Sequence, residues 1–129
     1  MSTDKTIGTG RCTAIGVALM GVIHTIATFT PLIQSGLECL PRQEHNAVLY
    51  FSLICGISLI LSGLLFFLLI TKIKQYPFLL PCLAIIAAFV FIDGILAVSF
   101  MPAMPSAWIV LVLGAIAEIT VYSLRKSNQ

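Results

Sequence analysis

Four long apolar segments constrain the fold of this chain more strongly than any other feature. They cover residues 12–33, 47–70, 78–100 and 107–124 of the 129 in the sequence. A helix needs about 20 apolar residues to cross the roughly 30 Å of bilayer hydrocarbon. Because four such segments leave too little polar chain to cover them in water, the sequence predicts one all-α integral membrane domain that contacts the lipid bilayer.

The composition excludes other classes of protein. Hydrophobic residues make up 59% of the chain and charged residues 9%, whereas soluble domains average about 25% charged residues. That deficit is incompatible with an ordinary soluble domain or a disordered segment. The net charge of +2 comes from scattered residues rather than from a basic face, so no nucleic-acid partner is expected.

The connections between the segments determine the expected topology. The spans are joined by residues 34–46, 72–77 and 101–106, and Pro102 and Pro105 stiffen the last connection. Short connections force consecutive helices to run antiparallel. The predicted fold is therefore an up-down-up-down bundle of four transmembrane helices.

Basic residues are distributed unevenly between the two ends of this predicted bundle. Arg42 alone belongs to one end, and six belong to the other: Lys5, Arg11, Lys72, Lys74, Arg125 and Lys126. Since lysine and arginine favour the cytoplasmic side of a membrane, both termini are expected to be cytoplasmic. The first apolar segment follows two basic residues as a secretory signal would, but its length and its histidine favour a helix that is retained.

Three ionisable residues interrupt the apolar segments and are the best indication of a functional site. They are His24, Asp93 and Glu118, and such residues within a membrane usually face a bundle interior or a cavity. With a helix rise of about 1.5 Å per residue, His24 lies about 20 Å and Asp93 about 24 Å from the cytoplasmic edge. Glu118 lies only about 10 Å from that edge. A pair of His24 and Asp93 is therefore expected in the outer half, with Glu118 at a different level.

Polar residues at the start of the second segment are expected to cover this pair. Arg42, Glu44 and His45 lie in the connection that leads to it, and Tyr50 lies one turn further along the chain. Once the bundle closes, these side chains would form the lid of an outward-facing pocket. The candidate ligand-binding residues are His24, Arg42, Glu44, His45, Tyr50, Asp93 and Glu118.

Each candidate also has a purely structural interpretation. His24 and Asp93 can hydrogen-bond other helices, and Glu118 can extend toward Arg125 at the membrane surface. Glu44 can stabilise the N-terminal end of the second helix. The sequence leaves these alternatives open.

Two classes of function are compatible with these residues. A binding or accessory protein would hold a lipophilic small molecule or a partner helix in the outer pocket. A membrane enzyme of the isomerase or oxidoreductase type would use His24 and Asp93 as general acid and base on a lipophilic substrate. The sequence carries no nucleophile motif, phosphate loop or metal-ligand spacing, and no cofactor is expected. The small four-helix multidrug transporters carry their essential glutamate in the first helix, whereas this chain carries its glutamate in the last.

Small residues and cysteines add two further expectations. Gly56 and Gly63 lie one heptad apart in the second segment, a spacing suited to close helix packing and to a homo-oligomer. The four cysteines form no C-x-x-C pair, which argues against a redox pair or a zinc ribbon. Cys39 lies in a polar connection and is the most reactive candidate.

Several short motifs resemble those of a known family. They are Gly10-Arg11, Gly21-Val22-Ile23-His24, Ser35-Gly36-Leu37, Tyr50-Phe51-Ser52-Leu53 and Met101-Pro102-Ala103. Together they resemble a bacterial family of four-helix membrane proteins known only as a domain of unknown function, and more distantly the DoxX-like group of four-helix bundles. The resemblance implies a four-helix fold, a bacterial inner-membrane location and a role for Arg11 and His24, but no activity. Met104-Pro105 departs from the family pattern in the last connection.

Overall fold

The computed structural model describes residues 3–127, except for the side chain of Leu32, and contains five α-helices in that range. The elements are α1 (Thr3–Thr28), α2 (Pro31–Leu37), α3 (Arg42–Lys72), a 3-10 turn (Pro77–Leu79), α4 (Leu80–Phe100) and α5 (Pro105–Ser127). Residues 3–127 contain no strand, and four of their helices are long and apolar enough to cross a membrane. The prediction of an all-α bundle of four transmembrane helices is confirmed.

The four long helices form a ring in the order α1, α3, α4, α5, and consecutive ones run antiparallel. The largest interfaces join α1 to α3 and α4 to α5, whereas the α3–α4 interface is the smallest of the four. We call the end of the bundle that holds Thr3 and Ser127 the terminal end. There Asp4 and Lys74 form an exposed ion pair. The opposite end, with residues 29–41 and 101–104, is the loop end.

The first long helix differs from the predicted span in both of its bounds. It begins at Thr3, and threonine hydroxyls on this polar stretch bond back to their own helix, as Thr13 Oγ1 does to the carbonyl of Thr9 at 3.0 Å. It ends at Thr28 because Pro31 begins the separate helix α2, and the preceding Thr30 is extended, with φ −76° and ψ 151°. The side-chain amide nitrogen Nε2 of Gln34 donates to the Thr28 carbonyl at 2.6 Å, which satisfies one of the otherwise unpaired carbonyl groups at this helix end.

Glycines allow the two tightest helix pairs to approach backbone to backbone. A β-carbon at Gly63 of α3 would lie 2.6 Å from the Ala18 nitrogen and 2.7 Å from the Ala14 carbonyl oxygen on α1. On the other side of the ring, a β-carbon at Gly94 of α4 would lie 2.5 Å from Leu111 Cα on α5. Small residues at such contacts are typical of helix packing in membranes. The glycine face of α3 is thus occupied by α1 of the same chain.

Large apolar side chains cover the outside of the bundle, where a soluble protein would carry mainly polar and charged side chains. Phe100 is 82% exposed and Phe78 is 73% exposed, and many leucines and isoleucines of the long helices are at least half exposed. An exposed apolar surface of this extent is typical of contact with a membrane or with another protein. Together with the length of the four helices, it identifies an integral membrane protein whose outer surface contacts lipid.

Candidate functional site

A chain of hydrogen bonds connects α1 to α3 in the half of the bundle nearer the loop end. Thr28 Oγ1 donates to the carbonyl of His24 at 2.9 Å, and it lies 2.7 Å from Ser52 Oγ. Ser52 Oγ in turn lies 3.2 Å from His24 Nε2. The two side chains of α1 share a face because they are four residues apart, and Ser52 reaches them from the antiparallel neighbour.

Counting protons along this chain assigns the tautomer of His24. A hydroxyl has one hydrogen to donate, and that of Thr28 is used on its own helix. Ser52 therefore donates to Thr28, so that Ser52 accepts from His24 and Nε2 carries a proton. In the neutral imidazole the other nitrogen, Nδ1, is then a hydrogen-bond acceptor.

Asp93 approaches from α4, on the other side of the α3–α4 interface. The Cys55 thiol of α3 contacts Asp93 Oδ1 at 3.9 Å, the only hydrogen-bond contact of this carboxyl group within the described residues. The imidazole of His24 lines the same cavity as Asp93. However, these two side chains form no direct ion pair. The acid and the imidazole therefore face each other across a gap.

That gap is a partly open cavity of about 100 Å³ lined by residues of all four long helices. Its polar lining comes from His24, Cys55, Asp93 and Ser106, and its remaining walls are methionine and aliphatic side chains. A second cavity of about 160 Å³ continues toward the loop end and adds Thr28, Thr30 and Ser52 to the polar lining. Both cavities share His24 and Ser106, so they form one pocket in two parts with a mostly apolar lining, which we call the His24–Asp93 pocket.

The structure thus brings together two of the candidates from the sequence and adds residues that sequence reasoning did not assign to the site. Ser52 and Cys55 lie one helical turn apart on α3, at the level of His24. Their signal was available, since hydroxyl and thiol groups at this spacing mark one polar face in an apolar helix. Ser106, at the start of α5, could be placed in the pocket only from the packing of that helix. The ligand-binding role of His24 and Asp93 stays a prediction.

The remaining candidates lie outside the His24–Asp93 pocket. Arg42, Glu44 and Tyr50 are exposed on the first turns of α3, His45 is half-buried there, and none of the four lines either cavity. The expected lid is therefore not part of the pocket walls. Glu118 lines a separate groove near the terminal end, in agreement with its different depth.

The donor set of the pocket is small for a metal ion. Among residues 3–127, no three histidine, cysteine, aspartate or glutamate side chains come together as a metal site would require. The four cysteines are all free thiols, with Cys39 exposed at the loop end. What the arrangement offers is a histidine and a carboxyl group on opposite sides of a small cavity. Such a pair can hydrogen-bond a polar group or exchange protons with it.

Comparisons with known proteins identified no relative of this chain. A scan of family models, a search of curated proteins and a search of solved structures each found no match to the chain.

Proposed function

We propose that this integral membrane protein binds the small polar head of a lipophilic molecule in the His24–Asp93 pocket. The observation that carries the proposal is that α1 and α4 place an imidazole and a carboxyl group on the walls of one cavity without pairing them directly. Ionisable side chains inside a membrane are costly and usually serve a function. A ligand that lies between the imidazole and the carboxyl group could form hydrogen bonds with both.

The size of the pocket defines which part of a molecule it accepts. Sites for a whole drug-sized ligand measure about 300–1,000 Å³, whereas the two cavities here hold about 100 and 160 Å³. They fit a head group or ordered water, and the apolar remainder of a ligand would extend between the helices. The head group should carry a hydroxyl or an amide, because these groups can both donate hydrogen bonds to, and accept them from, an imidazole and a carboxyl group.

The test is native mass spectrometry, with an absorbance spectrum, on protein purified in mild detergent. We expect the wild-type protein to carry a bound mass that is lost in His24→Ala and in Asp93→Asn while the helical circular dichroism persists. The matched controls His45→Ala and Asp4→Asn should retain the bound mass because both residues lie outside the pocket. An empty wild-type protein, or a mass kept by both pocket variants, would contradict the proposal.

An enzyme of the proton-transfer type is the second candidate. The favouring observation is the gap itself, because a general base and a general acid must flank the substrate rather than each other. In an isomerisation, one of the two groups would take a proton from a substrate carbon and the other would return a proton to a second carbon. Incubating the bound compound with the protein in D₂O tests this role. Deuterium incorporation that depends on both His24 and Asp93 supports it, and no incorporation rejects it.

The proposed orientation places both termini in the cytoplasm of a bacterium and the pocket toward the outer face of its inner membrane. Its support is that the terminal end carries six of the seven basic side chains of the described residues, whereas Arg42 alone lies at the loop end. The resemblance to the bacterial four-helix family is part of the same proposal. A homo-oligomer remains compatible with it only through a surface other than the glycine face that α1 already covers.

Cysteine accessibility in intact cells tests this orientation. With Cys12, Cys55 and Cys82 replaced by alanine, we expect a membrane-impermeant maleimide to label exposed Cys39 from outside. The matched protein in which Cys39 is also replaced by alanine and Ser127→Cys is introduced should be labelled only after the cells are permeabilised. The reverse pattern would place the termini outside.

A further inference from the structure

A groove lies at the terminal end, on the outside of the α4–α5 pair. Its volume is about 540 Å³, and it lies between the first turns of α4 and the last turns of α5. Leu80, Ile85 and Val121 provide apolar walls, while Tyr122 and Arg125 stand along α5. Ile85 and Tyr122 are each 70% exposed, so the groove opens sideways to the membrane and not into the bundle.

Glu118 projects into this groove with an unused carboxylate. It is half-buried, and no hydrogen bond or ion pair to it exists within residues 3–127. Arg125 lines the same groove seven residues later, a rise of about 10 Å along the helix, and does not reach it. A carboxylate at this depth in a bilayer requires a proton or a cationic partner, and no basic side chain of residues 3–127 forms an ion pair with Glu118.

The surroundings of Glu118 restrict the kind of cation. A metal ion needs several oxygen or nitrogen ligands, and Glu118 has no second acidic residue, histidine or cysteine beside it in the groove. Hydrocarbon walls instead suit an organic cation with an apolar body. The exposed ring of Tyr122 adds a π-face that attracts an ammonium or phosphonium centre. The volume is within the range of sites for drug-sized molecules.

We propose that this groove binds a lipophilic organic cation whose charged centre pairs with the Glu118 carboxylate. The site is separate from the His24–Asp93 pocket, both in position along the bundle and in the charge of its ligand. The cation enters from the hydrocarbon just below the head groups at the terminal end, which is the depth of Glu118.

The test measures binding of radiolabelled tetraphenylphosphonium to the purified full-length protein in detergent by equilibrium dialysis. We expect saturable binding by the wild-type protein and at least about a tenfold weaker affinity for Glu118→Gln, because the variant keeps the shape but removes the charge. The matched control is Glu38→Gln, an exposed glutamate outside the groove, which should bind as the wild type does. Tyr122→Leu should weaken binding about two- to fivefold, and it reports on the site if Glu118→Gln does not fold.

Three results would overturn the proposal. The first is the absence of saturable tetraphenylphosphonium binding by the wild-type protein. The second is that folded Glu118→Gln binds tetraphenylphosphonium with the same affinity as the wild type. If Glu118→Gln does not fold, equal affinity in Tyr122→Leu and the wild type counts in the same way. The third uses tetraphenylborate, which has the same shape and the opposite charge. Saturable binding of this anion that Arg125→Gln abolishes would show a site for anions.

Discussion

Alanine at Gly63 is expected to lower the free energy of unfolding by about 1–3 kcal/mol, the usual cost of overpacking a well-packed core. The added methyl group would meet the Ala18 nitrogen at 2.6 Å and the Ala14 carbonyl oxygen at 2.7 Å. Both are backbone atoms, so no rotation of a side chain relieves the contact and α1 must move away from α3. Reversible unfolding in mixed micelles, followed by circular dichroism, measures the change.

Gly8 provides the matched control on the partner helix α1. A β-carbon there would meet no atom within 4 Å, and alanine is a better helix former than glycine by about 1 kcal/mol. Gly8→Ala should therefore leave the stability unchanged or raise it slightly. Equal losses in Gly8→Ala and Gly63→Ala would show that close packing between α1 and α3 does not hold the bundle together. Gly94→Ala acts on a different interface, so its effect should add to that of Gly63→Ala.

Leu83→Ala is expected to cost about 1–3 kcal/mol, less than the roughly 2–5 kcal/mol typical of a leucine in an aqueous core. Leu83 is 0% exposed and lies in the buried cluster nearer the terminal end. When the helices of a membrane protein separate, the side chain moves into lipid rather than water. The transfer free energy of the side chain then largely vanishes, because lipid and leucine are equally apolar. The loss of van der Waals contacts around the cavity remains.

The same substitution at a lipid-facing position distinguishes the loss of van der Waals contacts inside the bundle from the free energy of transferring the side chain between environments. Leu96 on the same helix is 50% exposed, and Leu96→Ala should change the free energy of unfolding by at most about 0.5 kcal/mol. Both variants can be compared with the wild type in one unfolding titration. If Leu96→Ala costs as much as Leu83→Ala, burial inside the bundle is not what distinguishes the two positions.

The four membrane-spanning helices could be predicted because length and hydrophobicity alone decide whether a segment crosses a membrane, whereas the short helix α2 was not predicted. The first and last residues of the helices could be predicted less accurately. Helix α1 begins at Thr3 and includes threonines whose hydroxyls bond to their own helix backbone, and these residues look like a polar extension in the sequence. The break at Pro31 was visible as a proline, but apolar residues on both sides of it obscured the end of the helix.

The candidate site was predicted in part for a similar reason. Counting residues gave the common depth of His24 and Asp93 and the different depth of Glu118, because the helix rise is constant. Depth does not determine which helices are neighbours, so the roles of Ser52 and Cys55 emerged only with the packing of α3 between α1 and α4. The residues expected as a lid, such as Arg42 and Glu44, extend from the first turn of a helix that continues beyond the pocket.

The α3–α4 interface is the smallest in the ring and borders the pocket directly, because Cys55 and Asp93 meet across it. The close glycine contacts described above join α1 to α3 and α4 to α5, so two firmly paired hairpins meet at a looser seam. Separating the hairpins there costs less than separating the helices within either one. A molecule dissolved in the adjacent leaflet would reach the pocket sideways through this seam. Its occupancy would then depend on its partition coefficient into the bilayer, and two compounds at equal concentration in water would fill the pocket unequally.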